Sequence, residues 1–170
     1  MSKNFFISAM LVMALVFGMT VIGCGNGTTE ENDTWSNVTS VSQVNGSWKA
    51  PSKYTFQDHG MTYTSNTNNY ILTFNAAAKT MSVSGSQTTT ISGGDINEVW
   101  PGLKASLQSM NQNGITVTFN DANHSYTMTY NNYSEAFTDS DLTQMGFQIN
   151  QKETKLKLSN GGTDIIYTKQ

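Results

Sequence analysis

"ITVTFNDANHSYTMTY", residues 115–130, decides how the rest of the chain is read. Ile115, Val117 and Phe119 alternate with Thr116 and Thr118, and Tyr126, Met128 and Tyr130 resume the alternation after "NDANH". A period of two is the mark of a half-buried antiparallel strand, with one face on a core and the other in water. Asn and Asp between two such runs favour a turn, because their side chains bond their own backbone. The stretch therefore reads as a β-hairpin with an aromatic face and a threonine face.

The same pattern extends in both directions. In "YILTF" Tyr70, Leu72 and Phe74 share a face, and in "KTMSVSG" Met81 and Val83 do. Leu156 and Leu158 alternate with lysines in "TKLKLS", and "DIIYTK" closes the chain. "FNAAAKT" joins two strands, and Asn160-Gly161-Gly162 is a tight-turn signal. One helix interrupts the strands, in "GGDINEVWPGLKASLQSMNQNG". Asp95 and Glu98 have capping-box spacing, and Ile96, Val99, Trp100, Leu103, Leu107 and Met110 form one apolar stripe. Pro101 either starts this helix or kinks it, and Gly114 ends it. A second short turn, "TDSDLTQMG", is expected to be capped by Asp139 or Ser140 and stopped by Gly146. The fold class is all-β with one mid-chain helix, a barrel or a sandwich.

Composition narrows the function. The chain has 170 residues, only 12% of them charged, and a net charge of −3. Every basic residue is a lysine. Arginine is the preferred fork for phosphate and guanine, so its absence argues against nucleic-acid binding. Low charge with many Thr, Tyr, Phe and Val favours strands over disorder. The single cysteine, Cys24, excludes a disulfide within the chain and a zinc site of several cysteines.

The N-terminus carries an address. Lys3 is the only charge before Glu30, and Ile7 to Ile22 are almost wholly apolar. A basic start, an apolar core and a small residue at its end form a secretory signal. The run is borderline in length for a membrane-spanning helix, but its ending favours cleavage. That ending, Val21-Ile22-Gly23-Cys24, resembles the lipobox of bacterial lipoproteins. The resemblance implies cleavage before Cys24, with a diacylglycerol on its thiol and an acyl chain on its new amino group. Residues 1–23 are then signal and residues 24–45 a lipidated, flexible tether, with Trp35 either docked on the domain or at the lipid interface. A coil of that length spans roughly 25 Å. No cofactor is implied beyond the acyl chains, and the expected location is the cell envelope. Gly25 leans towards the outer membrane, because enteric-type sorting retains lipoproteins with Asp there.

Gly46 and Trp48 make a G-x-W at the head of the expected domain, residues 46–170. This resembles the entry motif of lipocalins and lipocalin-like lipoproteins. It implies an antiparallel up-and-down barrel of about eight strands, with Trp48 closing one end. Lipocalins commonly stack a late arginine over that tryptophan, and Lys157 or Lys169 is the candidate substitute here. The helix departs from the pattern, since it lies mid-chain rather than after the barrel.

Chemistry-bearing residues are sparse. His59 and His124 stand in turns beside Asp58 and Asp121, without metal-ligand spacing. There is no G-x-S-x-G, and no carboxylate pair stands out, so an enzyme is not expected. The Asn-x-Ser/Thr triplets at Asn26, Asn37, Asn123 and Asn132 read as chance. Tyr70, Phe74, Phe119, Tyr126, Met128 and Tyr130 either line a cavity or fill a core. Two functions follow as expectations. One is a membrane-anchored lipoprotein binding a small apolar ligand or another protein. The other is a surface-exposed, adhesin-type lipoprotein with a filled barrel, acting on an envelope or host protein.

Overall fold

A computed structural model describes residues 33–58, 60–111, 114–160 and 163–170. The lipobox-like stretch ending in Cys24, residues 25–32, His59, Gly161 and Gly162 lie outside the described residues.

Ten strands form one antiparallel sheet. They are β1 (Trp35–Asn37), β2 (Gly46–Lys49), β3 (Lys53–Asp58), β4 (Met61–Asn75), β5 (Thr80–Gly93), β6 (Ile115–Asn120), β7 (Ser125–Ala136), β8 (Gln148–Asn150), β9 (Lys155–Asn160) and β10 (Thr163–Lys169). Helix α1 (Ile96–Gln108) follows β5, and α2 (Asp139–Met145) follows β7. A short 3-10 helix spans Val41–Val44. The spatial order is β1-β8-β9-β10-β2-β4-β5-β7-β6, with β3 also on β4.

The expected hairpin is present, pairing Phe119 with Tyr126 and Ile115 with Tyr130. The antiparallel sheet is likewise present, but it is not closed into a barrel. Its ends are β1, three residues long, and β6. The helical connection after β5 lets β7 pair with β5 and leaves β6 outside it, so the two ends of the sheet do not meet.

The sheet curls because its long strands are bulged. Met61, Tyr63 and Ser65 point inward on β4, then Tyr70, Leu72 and Phe74 do, so the inward parity changes between them. The register against β5 slips between Asn68 and Ile71, where Asn69 has a φ of 48°. On β7 the inward set moves from Tyr126, Met128 and Tyr130 to Tyr133, with Asn132 at φ 54°. Both bulges read Asn-Asn-Tyr and lie on either side of Gly85 in β5. An extra residue bends a strand and tightens its twist. Gly85 has a φ of +91°, and a Cβ there would meet the Asn69 carbonyl oxygen at 2.0 Å, so only glycine fits.

Bending brings the two halves of the sheet face to face. Phe147, beside β8, meets Phe74 of β4 at 6.1 Å and Tyr167 of β10 at 6.4 Å. Helix α1 buries Trp100, Leu103 and Leu107, with Met110 just beyond it. Pro101 lies inside this helix, and the expected capping box is not formed: Asp95 is the N-cap, but its side chain makes no cap bond. Helix α2 is capped by Thr138, not Asp139 or Ser140. Thr138 Oγ1 accepts from Asp141 N–H and the Asp141 carboxylate accepts from Thr138 N–H.

The folded domain takes in residues that were expected to be tether. Residues 33–45 belong to the domain, because Trp35–Asn37 pair with β8 and Val38, Val41 and Val44 are buried. Asp33 bridges to Lys155 at 3.1 Å, and Trp35 lies under the Lys157 ammonium at 4.7 Å. These isolated apolar residues in a polar stretch have no period of their own, since each meets the sheet singly.

Candidate functional site

Trp48 is fully buried and donates its indole N–H to the Val44 carbonyl at 2.6 Å. Of the two candidate lysines, Lys169 lies over the Trp48 ring, 5.3 Å from its centre. Gly46 opens this strand at φ +115°, a conformation side chains resist.

The aromatic candidates meet one another. Tyr70 and Tyr130 touch edge to face at 5.4 Å, and Phe74 contacts Phe137 at 5.6 Å. Tyr70, Phe74, Tyr126, Met128 and Tyr130 are no more than 8% exposed. They belong to one hydrophobic cluster that runs through the interior. Phe119 is partly buried and packs against Trp100 of α1 at 6.1 Å. Burial holds the hydroxyls of Tyr54, Tyr70, Tyr126 and Tyr130 above the ordinary tyrosine range.

A polar network crosses this interior. Tyr54 donates to Gln87 Oε1 at 2.9 Å, and Gln87 Nε2 donates to Ser65 and Thr89. Ser65 and Thr89 are bonded at 2.9 Å. The sequence reading missed this network, because Gln87 and Thr89 hold inward positions with polar side chains.

The turn residues clamp the helix. Asp121 accepts from Trp100 Nε1 and from Lys104 Nζ, both at 2.7 Å. Lys104 first, and then Trp100, hold its carboxyl below the usual range. His124 meets the Trp100 ring edge-on at 5.6 Å. Among the described residues no group of His, Cys, Asp and Glu is placed to hold a metal ion.

The outer face of the sheet has a different order. Every even position of β5 from Thr80 to Ser92 is serine or threonine. The stripe continues sideways in register. Ser82 pairs with Thr73 and Ser134, and Ser47 pairs with Thr73. Thr88 pairs with Thr127, which pairs with Thr118. Thr90 pairs with Thr64, which pairs with Thr55. Cross-strand hydroxyl bonds tie Thr88 to Thr127 at 2.8 Å and Ser47 to Thr73 at 2.9 Å. The backbone positions that carry these hydroxyls stand about 4.8 Å apart across strands and about 6.8 Å apart along them. The stripe itself carries no charge, and Lys49 of β2, Lys53 of β3 and Lys155, Lys157 and Asp164 of β9 and β10 flank it. Such a surface offers donors and acceptors together, since each hydroxyl serves as both. Its sequence signal was the unbroken Ser/Thr period at 80–92.

No protein-family model matches the chain, and neither a curated protein nor a solved structure matches it.

Proposed function

We propose that the chain is an envelope-anchored lipoprotein of the adhesin type, lipocalin-like in plan, whose domain works by surface contact and not by catalysis. The hydroxyl stripe of β5, continued on β4, β7 and β6, carries this reading. The packed aromatic interior supports surface contact over an enclosed apolar ligand. The partner is a neutral macromolecule rich in hydroxyl or amide groups, because the stripe offers it donors and acceptors without charge. The lipobox-like Val21-Ile22-Gly23-Cys24 supports a lipid anchor, with the outer membrane favoured by Gly25. Residues 24–32 then hold the domain within about 30 Å of the bilayer.

The test is a pull-down of full-length protein against envelope fractions and extracellular host material. A retained component that high salt does not release is expected. Retention of nothing above background sinks the contact reading. A lipid found by native mass spectrometry inside purified protein would restore the enclosed-ligand alternative. The anchor has a separate test: Cys24→Ala is expected to give unprocessed or soluble protein. Mature, acylated protein from that variant would refute the anchor alone.

A further inference from the structure

The charges of the domain are sorted. Strands β1, β2, β3, β8, β9 and β10, with the turns beside them, hold six of the eight lysines of residues 33–170 against four acids. The remainder of the domain holds two lysines and six acids. One part is therefore net positive and the other net negative.

Three of the six lysines share an outer face. Lys155 and Lys49 each stand opposite Thr168, which places the two positions about 10 Å apart. Lys157 pairs with Gln148 on one side and with Ile166 on the other. Trp48, Leu156, Ile165 and Tyr167, which alternate with them, are buried, so the lysines and Ile166 point outward. Trp35 joins them from β1: its ring is half-buried and lies under the Lys157 ammonium at 4.7 Å. Asp33 and Asp164 stand beside Lys155 and Lys157 at 3.1 and 3.6 Å. Lys49 is exposed and has no ion-pair partner among the described residues.

This combination suits a charged bilayer surface. Lysine is a hydrated point charge without arginine's fork, so it answers a diffuse field better than a single phosphate. Anionic headgroups attract lysines held close to them, and tryptophan favours the level where headgroups meet hydrocarbon. The course of the chain brings such a surface within reach. Asp33, paired with Lys155, opens the described domain nine residues after Cys24. Nine residues span at most about 30 Å. An anchor that near raises the effective concentration of lipid at this face, so a modest patch suffices. The bend of the sheet also sets Phe147, beside β8, against Phe74 of β4. The outer face of β8, β9 and β10 therefore points away from that of β4 and β5.

We propose that the outer face of β1, β9, β10 and β2 rests on anionic phospholipid headgroups and turns the hydroxyl stripe of β5 away from the membrane. Trp35 lies at headgroup level, and Lys49, Lys155 and Lys157 face the phosphates. The proposal rests on the N-terminal anchor and adds an orientation to it.

The test is quenching of tryptophan fluorescence by brominated lipid in vesicles that carry full-length protein. The vesicles are phosphatidylcholine alone or an equal mixture with phosphatidylglycerol. Trp48 and Trp100 are buried, so the quenching lost in Trp35→Phe belongs to Trp35. Trp35 should be quenched strongly in the anionic vesicles, weakly in the neutral ones, and not at high salt. Lys49→Gln combined with Lys155→Gln should lower the ratio of docked to undocked domains about fivefold for each lysine removed. The same pair changed to arginine should behave as the parent does, and so should Lys79→Gln in the turn between β4 and β5. Equal quenching of Trp35 in both kinds of vesicle overturns the proposal, as does parental quenching in the glutamine variant. Loss of quenching with free phosphate, at an ionic strength where chloride has no effect, assigns the lysines to a soluble anion and also overturns it. Vesicle-bound protein with Trp35 unquenched removes the docking alone, whereas protein bound to neither kind of vesicle removes the anchor with it.

Discussion

Strand β5 has two faces that differ in kind. Met81, Val83, Gln87, Thr89 and Ile91 are buried, whereas Thr80, Ser82, Ser84, Ser86, Thr88, Thr90 and Ser92 face outward. Each inward side chain has specific neighbours, by ring contact, close packing or hydrogen bond. The outward ones repeat one chemistry along the strand and across to its neighbours. The inner face therefore holds the shape, and substitutions there act on stability. The outward side chains are half-buried at most and bond to hydroxyls of neighbouring strands, so shape alone does not set their uniformity, and the proposed contact role accounts for it.

Substitutions that separate the two faces test this division. Trp48→Ala should have the largest effect. It removes a fully buried ring, the bond to Val44 and the Lys169 contact, for a loss of about 3–5 kcal/mol in chemical denaturation. Gly85→Ala comes next, with strain of about 1–3 kcal/mol from its positive φ and the close Asn69 carbonyl. A Gly85→Ala protein as stable as the parent would show that the bulges do not set the curl. Gln87→Leu leaves Tyr54 and Ser65 short of partners in the interior, at about 1–3 kcal/mol. Thr118→Lys, at an exposed position of the outer stripe, should change stability by less than about 0.5 kcal/mol.

A last effect is one of pH. Burial, with a contribution from Asp141, pushes the half-buried Glu135 carboxyl up to about 7, against an ordinary value of 4.5. A raised carboxyl means that the folded state binds the proton more tightly than the unfolded chain does. Its contribution is complete below about pH 4.5 and is lost as pH rises through about 7. The parent's unfolding midpoint should decline over that window, and the decline should be smaller in Glu135→Gln. Equal slopes would place Glu135 in ordinary solvent.

The sequence made the inner face legible wherever apolar residues alternate, as at 70–74, 81–83 and 115–130. It obscured three features. The bulges interrupt the period, because Asn69 and Asn132 each add a residue that flips the face. The repeated Asn-Asn-Tyr was their only local sign. The inward Ser65, Gln87 and Thr89 look solvent-facing, since their burial depends on each other and not on local pattern. Residues 35–44 pair with β8 and the core, more than a hundred positions away in the case of β8, which no local rule detects.

The division between the faces is tested most directly by retention of full-length parent and Thr118→Lys proteins on the same immobilised envelope or host fraction. The account predicts that the parent is retained and that Thr118→Lys passes through with its unfolding midpoint unchanged. Equal retention of the two folded proteins would contradict it.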